Sequence, residues 1–89
     1  MQVEYRQLFL KDLKKLKKQP IYKKVFNLAF DILPSAEDLQ NIGNVKAMKG
    51  YPNLYRIRIG DYRVGIEVSG DLLEVMRVLH RKEFYRYFP

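Results

Sequence analysis

The sequence has no cysteine and no tryptophan, and it contains a single histidine. Without cysteine the chain cannot form a disulfide, a thiol nucleophile or a Cys-based zinc site, and one histidine is too few for a His-based metal cluster. No run approaches the roughly 18 apolar residues of a membrane span, and the N-terminus lacks the apolar core of a signal peptide. We therefore expect a cytoplasmic protein that uses no metal or other cofactor.

The chain is short and strongly basic. Its 89 residues predict a single domain over residues 1–89, because domains usually contain about 50 to 250 residues. A domain of this size buries only about 60 to 65% of its unfolded surface, so we expect any active site to be a surface groove. The formal net charge of +7 favours a polyanion or an acidic protein as partner, with nucleic acid first.

The first half of the sequence predicts two amphipathic helices. Phe9, Leu13 and Leu16 follow one another at i, i+4 and i+7, and lysines cover the rest of that helix. These lysines favour a solvated face, and they also offer sequence-independent attraction to a nucleic-acid backbone. Pro20 is a suitable first residue for a second helix, whose apolar stripe continues to Leu33.

The second half of the sequence changes to a period of two and gains β-branched residues, which is typical of strands. Residues 54–59, 62–68 and 72–79 form three such runs, while residues 40–53 are rich in turn residues and predict a connection. A further short strand is predicted over residues 2–6. The predicted fold class is α+β, with the two N-terminal helices packed on one face of a small, mainly antiparallel sheet.

The first predicted hairpin places several arginines together. If Gly60 and Asp61 form its loop, Arg58 lies opposite Arg63, and Arg56 lies opposite Gly65 on the same face. We call this surface the arginine face, formed by Arg56, Arg58 and Arg63. Like charges directly across an antiparallel pair are destabilising, so the pattern indicates an anionic ligand. Gly65 is expected where the backbone of that ligand approaches. The alternative is a solvated face whose arginines pair partly with Glu67.

The register of the third strand stays open at this point. A two-residue turn around Gly70 places Glu74, Met76, Val78 and His80 on the arginine face. A three-residue turn or a bulge reverses this assignment and brings Arg77 and Arg81 there instead.

Three further side chains are candidates for chemistry. His80 is the only side chain whose ordinary pKa lies near neutrality, so it is a candidate general base, although a lone histidine is often structural. Tyr85 can stack on a base or donate a phenolic proton, or can simply pack on the domain. Glu83 is an additional carboxylate in the same segment.

Two sequence runs carry a family resemblance. Residues 55–64, YRIRIGDYRV, followed by residues 78–86, VLHRKEFYR, resemble the signature of the RelE/ParE superfamily of toxin–antitoxin toxins, on the RelE side. The resemblance implies an mRNA interferase that enters the ribosomal A site and cleaves the message there. It also implies a free monomer that a cognate antitoxin holds inactive in a hetero-oligomer. We expect that antitoxin near Phe84, Tyr87 and Phe88.

The resemblance also assigns roles to individual residues. It implies that Arg56, Arg58 and Arg63 bind and stabilise the phosphate, that Arg81 stabilises charge or donates a proton, and that Tyr85 contacts the substrate base. We expect Arg63, Arg81, His80 and Tyr85 at the catalytic centre, and Lys82 as a further phosphate-binding residue together with Arg56 and Arg58. Members of the family often have lysine in place of the two arginines, and arginine, with a pKa above about 12, cannot act as a base. His80 or Glu83 would then accept the proton, or charge stabilisation would supply most of the rate.

Two other functions remain open from the sequence. The first is a ParE-like toxin that binds and poisons DNA gyrase without cutting RNA. The second is a basic RNA-binding module without chemistry, which would bind RNA with a steep salt dependence and leave it intact.

Overall fold

The computed structural model describes residues 1–89. Its elements along the chain are β1 (Gln2–Tyr5), α1 (Gln7–Lys15), α2 (Tyr22–Asn27), α3 (Leu33–Ser35), β2 (Val45–Ala47), β3 (Leu54–Ile59), β4 (Tyr62–Ser69), β5 (Leu72–His80) and α4 (Arg81–Tyr87). None of the helices has both the length and the apolar character needed to cross a bilayer.

Both predicted N-terminal helices are present. α2 continues through a wider π-helical segment (Leu28–Ile32) directly into α3, so that the three segments form one continuous helical stretch. Pro34 follows the π-helical segment directly and lies inside the helical stretch without ending it. The predicted apolar stripe ends at Leu33, and the helical stretch runs two residues further, to Ser35.

The sheet has five strands in the order β1-β5-β4-β3-β2. Three pairings are antiparallel, as predicted, but β1 lies parallel to β5, so the sheet is mixed. The helical segment between β1 and the later strands lets the first strand return beside the last one. β2 falls in the segment that the sequence predicts to be only a connection. That prediction is wrong for residues 45–47, which form a strand.

The larger of two hydrophobic clusters joins the N-terminal helices to the sheet. Fourteen buried residues form it. From the helical part they are Phe9, Leu13, Leu16, Val25, Leu28, Ala29 and Leu33, followed by Ile42, and from the strands Ile57, Val64, Ile66, Leu73, Val75 and Val78. The predicted apolar stripe of the first helix, at i, i+4 and i+7, is confirmed as a buried face.

The smaller cluster lies under α4. Leu54, Phe84 and Phe88 are buried in it. Leu54 and Ile57 point to opposite sides of β3, and Leu54 lies on the same side of the sheet as Arg56. The C-terminal helix therefore packs on the arginine face and partly covers it.

β5 combines both of the registers that the sequence left open. Ser69 pairs with Leu72 across a two-residue turn, and Glu67 pairs with Glu74, as the first alternative requires. A bulge then shifts the register, so that Ile66 pairs with Val75 but Gly65 pairs with Arg77. One extra residue changes the side on which each following side chain lies.

Candidate nucleic-acid interface

The β3–β4 hairpin has the predicted register. Arg58 pairs with Arg63, and Arg56 pairs with Gly65. The turn residue Gly60 has φ +59°, a conformation that suits glycine in a tight hairpin turn. The three arginines therefore lie on one side of two adjacent strands, as the sequence predicts.

The three guanidinium groups have different surroundings. Arg63 turns back to its own hairpin, where Nη1 donates to the carbonyl oxygens of Gly60 at 3.0 Å and Tyr62 at 2.9 Å. Arg58 is exposed. Arg56 is half-buried, and its Nε has no hydrogen-bond partner. None of the three forms an ion pair.

The expected partner carboxylate of the arginine face has a different neighbour. Glu67 lies 3.7 Å from Arg6, which also binds Glu74 at 3.0 Å. The hydrogen bond that Arg6 donates to Glu74 is the main cause that raises the pKa of Arg6. Glu67 therefore leaves the arginine face without a neutralising carboxylate.

Gly65 does not have the role that the sequence suggested. The ring of Phe88 lies directly over it, and a Cβ at this position would come within 2.7 to 2.8 Å of three ring carbons. Phe88 itself is only 2% exposed. The close approach at Gly65 is therefore made by the C-terminal segment of the same chain, and the prediction of an open ligand contact there is wrong.

Arg81 joins Arg63 at the hairpin turn. Its backbone N–H donates to the carbonyl oxygen of Asp61 at 2.8 Å. Its Nε lies 3.9 Å from the Asp61 carboxylate, and both side chains are more than half exposed, so this ion pair is weak. Lys82 follows on the exposed first turn of α4. The structure thus brings Arg63 and Arg81 to one short turn.

His80 has a structural contact in place of a position among the arginines. It pairs with Tyr62, and the two rings meet edge-on with centroids 5.3 Å apart. Its Nδ1 accepts a hydrogen bond from the Lys82 backbone N–H at 3.2 Å, which makes it the N-cap of α4. A neutral imidazole that uses Nδ1 as an acceptor carries its proton on Nε2.

An ion pair that the sequence did not predict holds α1 to β5. Asp12, 6% exposed, accepts from Arg77 Nε at 2.8 Å and Nη2 at 3.0 Å, and from the Val78 backbone N–H at 3.2 Å. The hydrogen bond that Arg77 donates to Asp12 is the main cause that raises the pKa of Arg77. The only signal in the sequence is one acidic residue within a lysine-rich helix. The bulge places Arg77 beside Gly65, on the side of the sheet that carries the arginine face, but its guanidinium is held by Asp12.

A cleft of about 430 Å³ separates the C-terminal end of α4 from the β2–β3 connection. We call it the C-terminal cleft; it is lined by Lys46, Ala47, Met48, Lys49, Tyr51, Arg56, Tyr85, Phe88 and Pro89. Tyr85 and Arg56 were predicted from the sequence, whereas Lys46 and Lys49 were missed. The alternation Val45-Lys46-Ala47 after a Gly-Asn turn is the signal that could have indicated a strand here.

His80 and Glu83 lie at a separate cavity of about 450 Å³, which Asp12 and Arg77 also line. The predicted site residues thus fall into three places: the hairpin turn, the C-terminal cleft and this cavity. No group of His, Asp and Glu side chains is arranged to hold a metal ion.

Comparison with known proteins identifies the family. The sequence model described as "ParE toxin of type II toxin-antitoxin system, parDE" matches residues 3–85. Toxin RelE3 of Methanocaldococcus jannaschii is 42% identical over 90 residues, covering 100% of both chains. This chain belongs to the RelE/ParE family of toxins. Its full-length relative carries the RelE name, so the ParE alternative is not favoured.

Several solved structures share the fold. The RelB–RelE antitoxin–toxin complex from Methanococcus jannaschii matches with a TM-score of 0.80 and 42% identity, covering 97% of this chain and 99% of that one. The archaeal RelE–RelB complex from Pyrococcus horikoshii matches with a TM-score of 0.70 and 26% identity, over 90% and 93% of the two chains. YafQ from E. coli, at 16% identity and a TM-score of 0.72 over 93% and 96%, shares the fold alone.

Proposed function

We propose that this protein is a ribosome-dependent endoribonuclease toxin, which cleaves mRNA in the ribosomal A site. The observation that carries the proposal is the position of Arg63 and Arg81 beside one exposed hairpin turn, in a chain that matches a RelE toxin over its whole length. A planar guanidinium is suited to hold two phosphate oxygens. Two of them beside one turn form a site for one phosphate of an RNA strand.

The proposed reaction is an intramolecular attack within the message. The ribose 2′-oxygen forms a bond to the adjacent phosphorus, and the bond from phosphorus to the 5′-oxygen breaks. The 2′-OH proton passes to water, and the 5′-oxygen gains a proton from water, leaving a 2′,3′-cyclic phosphate and a 5′-OH. Arg63 and Arg81 stabilise the charge that develops on the phosphoryl oxygens. Arg56, Arg58 and Lys82 bind flanking phosphates, and no metal takes part.

The sequence leaves the proton acceptor open between His80, Glu83 and a mechanism dominated by charge stabilisation, and the contacts of His80 favour the last of these. Nδ1 of His80 already accepts the Lys82 N–H at 3.2 Å, and the ring lies beside Tyr62. His80 therefore acts as a positioning residue that fixes the start of α4, and with it Arg81. Most of the rate then comes from charge stabilisation and from alignment of the strand on the ribosome.

A cognate antitoxin is the second partner of the proposed toxin, and the cytoplasm is its compartment. The two archaeal relatives described above are RelE chains solved in complex with RelB. Of the C-terminal aromatics expected at that contact, Phe84 and Phe88 are buried, whereas Tyr87 is 51% exposed. Only Tyr87 can reach an antitoxin without movement of α4.

The test is expression in cells, with 5′ ends mapped on translated messages and gyrase supercoiling assayed in parallel. We expect cuts within reading frames and normal supercoiling. Arg63→Ala and Arg81→Ala should each lower cleavage by about 10²- to 10³-fold, because each removes a donor to the charged phosphate.

Lys23→Ala is the matched control, since it removes one exposed positive charge from α2, which carries none of the proposed site residues. It should leave cleavage within a few-fold of the wild type. Full toxicity in both arginine variants, or loss of supercoiling without RNA cuts, would contradict the proposed function.

A further inference from the structure

The proposed cleavage needs a group that receives the proton of the ribose 2′-OH. The two arginines at the hairpin turn, Arg63 and Arg81, stay protonated and cannot accept it. Nδ1 of His80 already accepts a backbone N–H of α4, and Glu83 lies with His80 at the separate cavity. The hairpin turn itself supplies one further carboxylate, that of Asp61.

Asp61 contacts Arg81 in two ways. Its carbonyl oxygen accepts the Arg81 backbone N–H at 2.8 Å, and its carboxylate lies 3.9 Å from Arg81 Nε. The second contact is too long for a hydrogen bond, so it leaves the carboxylate oxygens available to a water. No other carboxylate pairs with an arginine of the hairpin turn or of the arginine face. The Asp61 side chain is 72% exposed, so an RNA strand bound at the turn can reach it.

A second hairpin turn of the same chain shows what the turn alone requires. Gly60-Asp61 and Gly70-Asp71 are both two-residue turns, and both glycines have φ +59°. The positive φ explains the glycines, whereas neither aspartate adopts one. Asp71 forms no ion pair and lies at the other end of β4. The two turns therefore share their glycine geometry, but only Asp61 pairs with a guanidinium group.

We propose that the Asp61 carboxylate accepts the 2′-OH proton through one bound water. This inference rests on the proposed function, since it needs the scissile phosphate at the hairpin turn. As the 2′-oxygen bonds to phosphorus, its proton passes to the water, and the water gives one of its own protons to a carboxylate oxygen. The bond from phosphorus to the 5′-oxygen breaks, and solvent protonates that oxygen. Asp61 then releases its proton to solvent, which restores the carboxylate.

The expected contribution of Asp61 is moderate. A general base raises a reaction rate by about 10²- to 10⁴-fold, and an exposed carboxylate is a weak base near neutral pH, so we expect about 10²-fold. Charge stabilisation by Arg63 and Arg81, together with alignment of the strand, still supplies the larger part of the rate. Because the proton moves only in the transition state, Asp61 should affect the cleavage step and leave substrate binding unchanged.

The experiment measures single-turnover cleavage of a short message on programmed ribosomes by the full chain, over a range of protein concentrations. Asp61→Asn should lower the rate at saturation by about 10²-fold and leave the half-saturating concentration within about three-fold of the wild type. Asp61→Glu keeps a carboxylate and should cleave within about ten-fold of the wild type. Sodium formate supplies a small carboxylate, and it should restore about ten-fold or more of the rate that Asp61→Ala loses.

The two hairpin turns provide a matched control. Asp71→Asn makes the same chemical change in the other Gly-Asp turn and should cleave within about two-fold of the wild type, since it is remote from the site. Arg81→Ala is the control for formate, because the anion cannot replace a lost cation. Formate should leave the rate of Arg81→Ala unchanged when sodium chloride is used to match the ionic strength.

Two results would overturn this role of Asp61 while leaving the nuclease intact. One is cleavage by Asp61→Asn within about ten-fold of the wild type. The other is a larger loss that formate does not rescue or that comes from weaker binding, which would make Asp61 a positioning residue for Arg81. The proposed function fails separately, because a wild-type protein that makes no cuts in translated mRNA would refute the nuclease and the role of Asp61 together.

Discussion

The contact between Gly65 and Phe88 makes a quantitative prediction. Carbon atoms in van der Waals contact are about 3.5 to 4.0 Å apart, whereas an alanine Cβ at Gly65 would lie 2.7 to 2.8 Å from three ring carbons. The ring would have to retreat by roughly 0.7 Å or more. Overpacking of this kind costs about 1 to 3 kcal/mol. The cost cannot exceed that of expelling the ring into water, which is about 1.5 to 3 kcal/mol for a buried phenylalanine.

Alanine also has an advantage over glycine within a strand, because the unfolded chain loses less backbone entropy on folding, about 0.5 to 1 kcal/mol. Gly65→Ala should therefore lower the free energy of unfolding by up to about 2.5 kcal/mol, which is the overpacking cost less the entropic gain. For a chain of this size that is a fall in Tm of up to roughly 20 °C. In a Phe88→Ala background the ring is absent, and the same substitution should raise stability by about 0.5 to 1 kcal/mol.

The measurement is a double-mutant cycle on the wild type, both single variants and the double variant. Each protein is unfolded in urea, and unfolding is monitored by circular dichroism. The sign of the Gly65→Ala effect should reverse between the two backgrounds. An equal loss of stability in both backgrounds would refute the packing argument. Unchanged stability with weaker RNA binding would instead restore the view that a ligand approaches the strand at Gly65.

Two further predictions concern contacts around β5. Asp12→Ala should lower the free energy of unfolding by about 3 to 5 kcal/mol, because it leaves Arg77 without its counter-charge. The control Arg6→Ala removes only exposed ion pairs and should cost less than about 1 kcal/mol. Equal losses of stability in urea unfolding would contradict this ranking. His80→Asn keeps a capping acceptor and should retain cleavage within a few-fold, while His80→Ala should lose about 0.5 to 2 kcal/mol of stability. A fall in cleavage of about 10² or more in the His80→Asn variant would show instead that the imidazole transfers a proton.

The hairpin was predictable from the sequence because its signals are local. Gly60 marks the turn, strict alternation fixes which side each residue faces, and the pairing of Arg58 with Arg63 follows by counting. The helical stripe of α1 is local in the same sense. Such features depend only on residues that are close in sequence, so one chain is enough to derive them.

Features that depend on distant contacts were not predictable. The bulge opposite Gly65 and Ile66 changes the side of every later residue in β5, and no local signal marks it. The parallel pairing of β1 with β5 joins opposite ends of the chain. α4 has only seven residues, too few to show a clear helical period, and so its position over the arginine face was missed. The actual neighbours of Gly65 and His80 follow from these distant contacts.

The carboxylate of Asp12 has a consequence for self-association. β1 ends at Tyr5, whereas β5 continues to His80, so the margin of β5 beyond the end of β1 has no neighbouring strand. An uncovered margin of this kind is a template on which another molecule can add a strand. The Asp12 carboxylate on α1 accepts a hydrogen bond from the Val78 N–H at this margin and so blocks the addition of a strand. Since the two outermost strands have only four and three residues, little backbone remains through which copies of this chain could join edge to edge.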